Sequence, residues 1–346
     1  MQKFCRNKYT TFEQSQCMKL AIVGCTGLVG SVVLKVLNEL SVNISDLTLV
    51  ASPKSIGEKI EFRNEYLTIV SIEEAVRKKP DIVIFSAGSS ISEKWAPEFS
   101  AVGSKVIDNS SFWRMKKNIP LIIPEINGYN IKKSTKIIAN PNCSTIQLAV
   151  ALNEIHRKFG LKRIVISTYQ SVTGTGTAAV IQMNNERKGL KSEKIYPHPI
   201  DQNCFPHGGD FLENGYTSEE MKLVNETQKI FNDNNIKITA TVVRIPVVGG
   251  HSESVNIETQ RSFEISDIIE SLNNTEGVVV QNNSETFDYP MPITAQNKND
   301  VFVGRIREDN TVENGFNLWI VSDNLRKGAA TNAVQITNYI TTNNLL

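Results

Sequence analysis

A single cysteine stands between a proline turn and an apolar segment with helical spacing. Residues 140–145 read Asn-Pro-Asn-Cys-Ser-Thr, and the pattern predicts a helix over residues 146–159. At the start of a helix, the free backbone N–H groups and the macrodipole favour negative charge, so the pKa of a thiol falls below its usual value of about 8.5. Because a thiolate attacks carbonyl carbon, Cys143 is a predicted nucleophile. The alternative is an inert cysteine that follows a turn.

A glycine-rich turn near the start of the chain predicts a dinucleotide site. Three glycines at spacing Gly-x-x-Gly-x-x-Gly follow the apolar run 19–23 and precede a segment with helical spacing. Glycine lets the backbone approach a pyrophosphate, and the helix N-terminus favours its charge. The spacing is a variant of the usual fingerprint, and the alternative is a tight turn without a ligand. The predicted cofactor contacts in this turn are Gly24, Thr26, Gly27, Leu28, Val29 and Gly30.

The end of the second predicted strand indicates which dinucleotide is bound. An NAD site usually has an acidic residue about 20 residues beyond the glycines, for the ribose 2′-hydroxyl. Residues 51–57 instead read Ala-Ser-Pro-Lys-Ser-Ile-Gly, with no carboxylate. The hydroxyls of Ser52 and Ser55 and the cation of Lys54 suit a 2′-phosphate, so NADP is predicted as the cofactor. The alternative is a solvated polar turn.

A thiol beside a nicotinamide indicates an acyl-thioester that exchanges a hydride, and this chemistry needs an acid/base and an anchor for the substrate's charge. His156 lies in the predicted helix and is expected to face solvent, while His198 and His207 lie in a long loop. His251 follows a β-branched strand and two glycines, and Arg244 of that strand can bind a carboxylate bidentately. The alternatives are a capped turn for His251 and a surface ion pair for Arg244. No spacing typical of a metal site is found, so no metal is expected.

The elements that position these residues divide the chain into two halves. In the first half, apolar runs alternate with helical or irregular segments such as 71–79, which predicts βαβ units and an N-terminal Rossmann-type, doubly wound parallel sheet in the α/β class. The predicted strands there are 19–23, 47–51, 82–85, 105–107, 121–123 and 136–139.

The second half predicts an α+β domain with a mixed or antiparallel sheet. Its predicted strands are 163–170, 236–247, 252–260, 278–281, 301–307 and 318–321, and its predicted helices are 178–189, 218–231 and 324–340. A long loop, 190–217, is expected to be functional or an interface. We therefore expect an NADP-binding domain of residues 18–142 plus 324–346 and a catalytic and dimerisation domain of residues 143–323.

Composition excludes several classes of protein. The 346 residues are 40% hydrophobic and 21% charged, with a net charge of +1. No basic stripe or acidic tail indicates a nucleic-acid or membrane-surface partner, and no apolar run reaches the roughly 18 residues of a membrane span. Five scattered cysteines fit free thiols in a reducing compartment, so a cytoplasmic location is expected. Residues 1–17 are interpreted as a disordered extension or a mis-assigned start before Met18, a short transit peptide being the alternative.

Taken together, these segments resemble the aspartate-β-semialdehyde dehydrogenase family from Met18 to the C-terminal helix. The matching segments are GCTGLVG, ASPKSIG, FSAGSS, DNSSFWRM, IPEIN, NPNCST, STYQSVTGTG, EEMK, RIPVVGGHSE and DNLRKGAATNA. The resemblance implies that the chain reduces L-aspartyl 4-phosphate with NADPH to aspartate 4-semialdehyde, in lysine, threonine, methionine and diaminopimelate biosynthesis. It also implies aspartyl phosphate and phosphate as ligands, and a homodimer or a tetramer.

The same resemblance implies roles for individual residues. Cys143 would be the acylated nucleophile, His251 the acid/base and Gln170 the residue that orients the reacting carbonyl. Arg114, Arg244 and Glu219 would bind the substrate's charged groups, and Arg114, Lys222 and Asn142 the phosphate. Thr173, Gly174 and Asn324 would lie at the nicotinamide. The helix pattern around Glu219 and Lys222 by itself predicts an exposed charged face.

Some positions depart from the family pattern. Cys25 stands where alanine is frequent, and Pro53 with Lys54 varies the usual arginine-containing turn. An N-acetyl-glutamyl-phosphate reductase or a CoA-thioester reductase of the malonyl-CoA reductase type shares the thiol-plus-nicotinamide chemistry and is an alternative function. The former family typically has a His-Pro-Gly-Cys turn, which is absent here. A catalytically silent homologue that binds NADP or dimerises is a third hypothesis, against which the intact catalytic set argues.

Overall fold

The first half of the chain forms a seven-stranded sheet with one antiparallel edge. The computed structural model describes residues 17–346, so the interpretation of residues 1–17 as an extension lies outside the described residues except at Cys17. The strand order is β3-β4-β2-β1-β5-β6-β7, and every pair is parallel except β3 with β4. This confirms the predicted Rossmann-type sheet. The strands are β1 (Met18–Val23), β2 (Ile44–Val50), β3 (Lys59–Phe62), β4 (Glu65–Val70), β5 (Ile82–Phe85), β6 (Lys105–Asp108) and β7 (Ile137–Ala139).

Two features of this sheet differ from the sequence-based expectation. The hairpin β3–β4 was not predicted, and its turn places Arg63 and Asn64 at positive φ, as a two-residue hairpin turn requires. Residues 121–123 do not form a strand. Leu121 makes one isolated bridge with Ala139, and the chain then turns into a helix at Pro124, whose missing N–H suits the first helical position.

The second half forms a six-stranded mixed sheet, as predicted. Its order is β11-β12-β13-β10-β8-β9, with β8–β9 and β11–β12 parallel and the other pairs antiparallel. The strands are β8 (Leu161–Gln170), β9 (Lys237–Arg244), β10 (His251–Thr259), β11 (Val278–Val280), β12 (Val301–Asp309) and β13 (Gly315–Ser322).

The helices connect and cover the two sheets. Helix α1 packs against the C-terminal helix over the first sheet, and α5, α7 and α8 contribute to the core over the second. Helix α8 was not predicted, although Ile265, Ile268 and Leu272 have helical spacing. The helices are α1 (Leu28–Glu39), α2 (Ile72–Arg77), α3 (Ser89–Ala101), α4 (Pro124–Asn127), α5 (Cys143–Phe159), α6 (Thr177–Arg187), α7 (Ser218–Phe231), α8 (Ile265–Asn273), α9 (Pro292–Ala295) and α10 (Thr331–Thr342).

Two irregular segments lie close to the junction of the two halves. The predicted helix 324–340 begins instead as a π-helical turn, Arg326–Ala330, which continues into α10. The predicted loop 190–217 has no helix or strand, and side chains of α6 hold it: Gln182 accepts the N–H groups of Ile195 and Tyr196. In the part of the chain that the structure describes, no helix combines the length and apolar character needed to cross a bilayer.

Candidate active site

The carboxyl ends of the parallel strands in the first sheet open onto a cleft, the usual ligand position in such sheets. The cleft has a volume of about 310 Å³ and reaches from the glycine turn to the start of α5. It is lined by Val29, Ser86, Gly88, Asn109, Ser110, Ser111, Arg114, Asn140, Pro141, Asn142, Cys143, Thr173, Gly174, Glu219, Lys222, Asn324, Leu325, Gly328 and Ala329. The cleft thus joins residues from both halves of the chain.

The glycine turn between β1 and α1 has the shape of a phosphate cradle. Gly24 has φ +92°, and a Cβ there would overlap the Ser86 carbonyl, while a Cβ on Gly30 would overlap the Gly24 carbonyl. Gly27 has more room, since its Cβ would lie 3.4 Å from the nearest heavy atom, and it is exposed together with Thr26. No side chain caps α1, so its first N–H groups face a ligand site. The turn fits the pyrophosphate of a dinucleotide.

The residues predicted to select NADP form a short turn beyond β2. Pro53–Ser55 is one turn of 3₁₀-helix, with Ser52 and Lys54 exposed and Ser55 half-buried. Because β2 is the parallel neighbour of β1, this turn lies at the same edge of the sheet as the glycine turn. The geometry is compatible with a 2′-phosphate, and the preference for NADP stays a prediction.

Cys143 is the first residue of α5. The side-chain oxygen of Asn142 accepts the N–H of Ser144 at 3.0 Å and caps the helix, so the helix starts three residues earlier than the apolar pattern suggested. The thiol is half-buried in the cleft, and the π-helical turn passes so close that a Cβ on Gly328 would lie 2.8 Å from the Cβ of Cys143.

The environment of Cys143 overturns the expectation of a lowered thiol pKa. Burial and then the Glu219 carboxylate raise the pKa of Cys143 to about 12, while Arg114 and Arg244 act in the opposite direction. The helix N-terminus alone was the wrong guide, because desolvation outweighs it. The resting site therefore holds a neutral thiol.

His251 is fully buried at the start of β10. Its Nδ1 accepts the backbone N–H of Ser171 at 3.0 Å, and its Nε2 has no hydrogen-bond partner. Burial, and then the charge of Arg244, lower the pKa of His251 to about 3, so the ring is neutral. A neutral ring whose Nδ1 is an acceptor carries its proton on Nε2. In this state His251 presents a donor at Nε2, and its role as the acid/base stays a prediction.

Arg244 and Gln170 lie beneath the surface of the cleft. Arg244 donates from Nη1 to the Ser171 carbonyl at 2.7 Å, and Gln170 donates from Nε2 to Ser144 Oγ at 3.0 Å. Gly174 covers this layer, since a Cβ there would lie 3.0 Å from both Arg244 Nη1 and His251 Nε2. The structure thus brings Gln170 to the residue after Cys143, but Gln170 itself does not line the cleft.

Helix α7 brings a cation and a carboxylate to the cleft. Lys222 and Glu219 form an ion pair at 2.7 Å, and Asn142 donates to Glu219 at 2.7 Å. Burial acts to raise the pKa of Glu219, but Lys222, Asn142 and Arg244 together lower it to about 2, so it stays charged. Glu220 points elsewhere: it accepts the N–H groups of Thr217 and Val242. The expectation of a wholly exposed charged face is therefore wrong.

The residues predicted at the nicotinamide share hydrogen bonds. Thr173 Oγ1 donates to Asn324 Oδ1 at 3.0 Å and is also hydrogen-bonded to Ser171 Oγ. Thr173, Gly174 and Asn324 all line the cleft, as does Val29. Their contact with a cofactor stays a prediction.

The other histidines lie outside the cleft. His156 was expected to face solvent, but its Nδ1 accepts the Leu161 N–H at 3.1 Å and its ring lies 4.9 Å from that of Phe231. His198 is exposed, and His207 stacks on Phe211. Within residues 17–346 there is no group of three or more His, Cys, Asp or Glu side chains that could hold a metal ion.

Three functional-site residues were not predicted from sequence. Gly328 touches Cys143, Glu226 of α7 accepts the N–H of Asn142 at 2.7 Å, and Glu253 lies two residues beyond His251 on the same face of β10. Glu253 is fully buried, and burial raises its pKa well above 4.5, while Ser144 and Gln147 act in the opposite direction. The spacing of Glu219, Lys222 and Glu226 along one helix face was the available signal for Glu226.

Family models match most of the chain. Residues 19–134 match the model of the semialdehyde dehydrogenase NAD-binding domain, and residues 152–327 match the semialdehyde dehydrogenase dimerisation domain. The first match is consistent with the glycine cradle described above.

Curated relatives and a solved structure agree with these models. Aspartate-semialdehyde dehydrogenase from Aquifex aeolicus is 47% identical over 337 residues, which cover 95% of this chain and 99% of the relative. The Bacillus subtilis enzyme of that name is 43% identical, with the same coverage. A crystal structure of aspartate semialdehyde dehydrogenase II from Vibrio cholerae, complexed with ASA, has a TM-score of 0.90 at 42% identity and covers 94% of this chain and 98% of its own. The chain belongs to the aspartate-semialdehyde dehydrogenase family of oxidoreductases.

Proposed function

We propose that this chain catalyses the NADPH-dependent reductive dephosphorylation of L-aspartyl 4-phosphate to L-aspartate 4-semialdehyde, through a thioester on Cys143. The observation that carries the proposal is the composition of the cleft. One thiol lies at a helix N-terminus beside Arg114, Lys222 and Glu219, and Val29 in the first turn of α1, just after the glycine turn, lines the same space. A doubly anionic acyl phosphate that also bears an ammonium group complements this arrangement of charge.

The charged groups of the cleft can each receive one group of this substrate. Lys222 and Glu219 are paired with each other, and the substrate offers a phosphate to the first and an ammonium to the second. Arg114 and the amide of Asn142 complete the phosphate site. Arg244, beneath Gly174, would bind the α-carboxylate bidentately.

In the first step the neutral thiol of Cys143 must lose its proton. As Cys143 attacks the acyl carbon, a C–S bond forms, the C–O bond to phosphate breaks, and the thiol proton leaves with the phosphate as HPO₄²⁻. No separate base is needed, which agrees with the donor tautomer of His251. Arg114 and Lys222 stabilise the departing dianion.

The later steps depend on the layer beneath the cleft. When bound, NADPH supplies the hydride that reduces the thioester, and the cradle of Gly24, Gly27 and Gly30 would hold its pyrophosphate. The Nε2–H of His251 stabilises the oxygen that carries negative charge while the C–S bond breaks, a contribution of about 3 kcal/mol in comparable sites. As the aldehyde forms, the sulfur of Cys143 leaves as a thiolate and takes up a proton from solvent, which restores the thiol. Gln170 orients the reacting carbonyl from its place beside Ser144.

The remaining cofactor contacts are proposed on the same basis. Ser52, Lys54 and Ser55 would bind the 2′-phosphate, and Thr173, Gly174 and Asn324 the nicotinamide. Thr26, Leu28 and Val29 complete the pyrophosphate turn. We place the NADP-binding domain at residues 18–142 with 324–346 and the catalytic and dimerisation domain at residues 143–323.

The chain is proposed to act as a homodimer in amino-acid biosynthesis from aspartate. Helices α5, α7 and α8 cover one face of the second sheet, and the other face bears the aromatic pair Tyr169 and Trp319 beside an apolar cavity of about 420 Å³. A second copy would bury this face, and sedimentation equilibrium would then give twice the mass of one chain. A cytoplasmic location is proposed from the free thiols of Cys17, Cys25, Cys143 and Cys204.

One assay tests the reaction directly. With aspartate 4-semialdehyde and NADP⁺, the wild-type protein should form NADPH only when inorganic phosphate is present. NAD⁺, N-acetylglutamate semialdehyde and CoA in place of phosphate serve as comparison arms. Cys143→Ser should lose activity by about 10⁴-fold or more while still binding NADPH.

The comparison assays distinguish between the alternative functions. A higher rate with the acetylglutamate compound, or dependence on CoA instead of phosphate, would assign the chain to one of the neighbouring reductases. No turnover with any acyl acceptor, together with intact NADPH binding, would support the silent homologue.

A further inference from the structure

A carboxylate outside the cleft lies behind two of its key residues. Glu226 is in the third turn of α7 and is 1% exposed. It shares a helix face with Glu219, Lys222 and Lys229, at successive spacings of three, four and three residues. Glu219 and Lys222 reach the cleft, and Glu226 and Lys229 face the segment that carries Arg114.

Glu226 joins three separate parts of the chain. Its Oε1 accepts Nη1 of Arg114 at 3.1 Å, and its Oε2 accepts the backbone N–H of Asn142 at 2.7 Å. Asn142 immediately precedes Cys143 and caps α5. One buried carboxylate therefore fixes both a cation of the cleft and the turn that presents the thiol.

The remaining donors of Arg114 show how it stays available to a ligand. Nη2 donates to the Asn109 carbonyl at 2.7 Å, and Nε has no partner. Two of the five N–H groups are thus engaged with protein, which holds the guanidinium plane in place. The remaining Nη protons are left for an anion in the cleft, which Arg114 lines.

Lys229 holds the backbone of the same segment. Its Nζ donates to the carbonyls of Arg114, Lys116 and Ile119 at 2.5, 3.0 and 2.9 Å. Helix α7 thus fixes the main chain of this segment through Lys229 and the guanidinium through Glu226. Of these two residues, only Glu226 also forms a hydrogen bond with the turn before Cys143.

We infer that Glu226 is a positioning residue, which sets the orientation of Arg114 and of the Cys143 turn for the substrate's phosphate. The inference rests on the proposed function in taking phosphate as the ligand of Arg114. Because Glu226 is buried and does not line the cleft, it acts through these two partners and not by contact with substrate.

Glu226→Gln tests this role at nearly constant side-chain volume. The amide oxygen of glutamine can accept a hydrogen bond from only one of the two donors, Arg114 and the N–H of Asn142. Its own N–H groups would face the other donor. We expect the KM for inorganic phosphate to rise about tenfold, the ratio that corresponds to one charge-assisted hydrogen bond. Glu226→Asp keeps the charge with a shorter reach and should give an intermediate KM.

Glu220→Gln is the matched control. Glu220 is a buried carboxylate of the same helix that accepts two backbone N–H groups, at 2.6 and 2.9 Å, and none of its hydrogen bonds goes to Arg114 or Asn142. It should lower the melting temperature while leaving the KM for phosphate unchanged. Equal KM values in Glu226→Gln, Glu220→Gln and wild type would overturn the inference.

A second measurement is independent of turnover. The rate at which iodoacetamide modifies Cys143, followed by mass spectrometry of its peptide, should rise several-fold in Glu226→Gln, because the turn before Cys143 loses its anchor. Glu220→Gln should keep the wild-type rate. If wild type shows no phosphate-dependent activity, the proposed reaction fails, and this rate comparison alone decides for or against the role of Glu226.

Discussion

Two helices begin at the carboxyl edge of the same parallel sheet, and they present their N-termini to the cleft in different ways. Helix α1 has no side-chain cap, and the residue before its first turn is the exposed Gly27. Helix α5 is capped by Asn142, and side chains from α7 crowd its first turn. The first helix start is a backbone site, and the second is a side-chain site.

The comparison shows that a helix N-terminus does not by itself determine the chemistry at its end. At α1, the open N–H groups leave the positive end of the helix to an anion from solution. At α5, the side-chain oxygen of Asn142 and the carboxylate of Glu219 occupy the position that an anion would take at α1. The pKa of Cys143 is raised to about 12. At the start of α1, we therefore expect substitutions that add volume to have the largest effect. At the start of α5, we expect the largest effect from substitutions that move a side chain or change its charge.

The largest effect is expected from a methyl group in the α1 turn. Gly30→Ala places a Cβ against the Gly24 carbonyl, so either the turn or the helix must shift. We expect a loss of about 3 kcal/mol in the free energy of unfolding, and loss of NADPH binding by fluorescence titration. Gly27→Ala, whose Cβ has 3.4 Å of room, is the control and should fold with wild-type stability. Equal stability of the two variants would contradict the steric account.

A smaller effect is expected from a methyl group at the α5 start. Gly328→Ala would place a Cβ 2.8 Å from that of Cys143 and push the thiol by a fraction of an ångström. We expect kcat to fall about 100-fold, since a small misplacement of a nucleophile has that cost, with NADPH binding unchanged. A wild-type kcat in a correctly folded variant would show that the π-helical turn does not position the thiol.

The smallest effect on activity is expected from Glu253, which is buried beneath α5. Its protonation makes the free energy of unfolding depend on pH. Burial raises the pKa of Glu253 well above 4.5, so the folded state keeps a proton that the unfolded state releases. The contribution of Glu253 to the free energy of unfolding is fully present below pH 4.5 and is lost as the pH rises. The loss is about 1.4 kcal/mol for each pH unit over which only the folded state is protonated.

Glu253→Gln removes this titration while keeping a neutral side chain. Urea unfolding between pH 4.5 and 8 should show the variant gaining stability relative to wild type as the pH rises. Glu61→Gln, at an exposed position, should show no such change. A constant difference between Glu253→Gln and wild type across this range would mean that Glu253 is ionised in the folded state.

Much of the fold followed from local pattern. The short apolar runs before the glycine turn and at β5 and β6 became buried parallel strands, because a strand covered on both faces is apolar throughout. The hairpin β3–β4 lies at the edge of the sheet and carries alternating polar residues, so its pattern was weak. The segment 121–123 is apolar because it is buried, and Pro124 turns it into a helix.

The sequence by itself determined which residues could do chemistry: a thiol before a helix, a glycine-rich turn after a strand, and a histidine at a strand end. These follow from short-range steric and backbone preferences, which act between neighbours in the chain. Only the tertiary structure decided the protonation of Cys143, the tautomer of His251 and the place of Glu226. Each of these depends on burial and on partners distant in the sequence, as in the bonds of His251 with Ser171, 80 residues apart, and of Glu226 with Asn142, 84 residues apart. Desolvation and long-range hydrogen bonds exist only after folding, so a local pattern contains no trace of them.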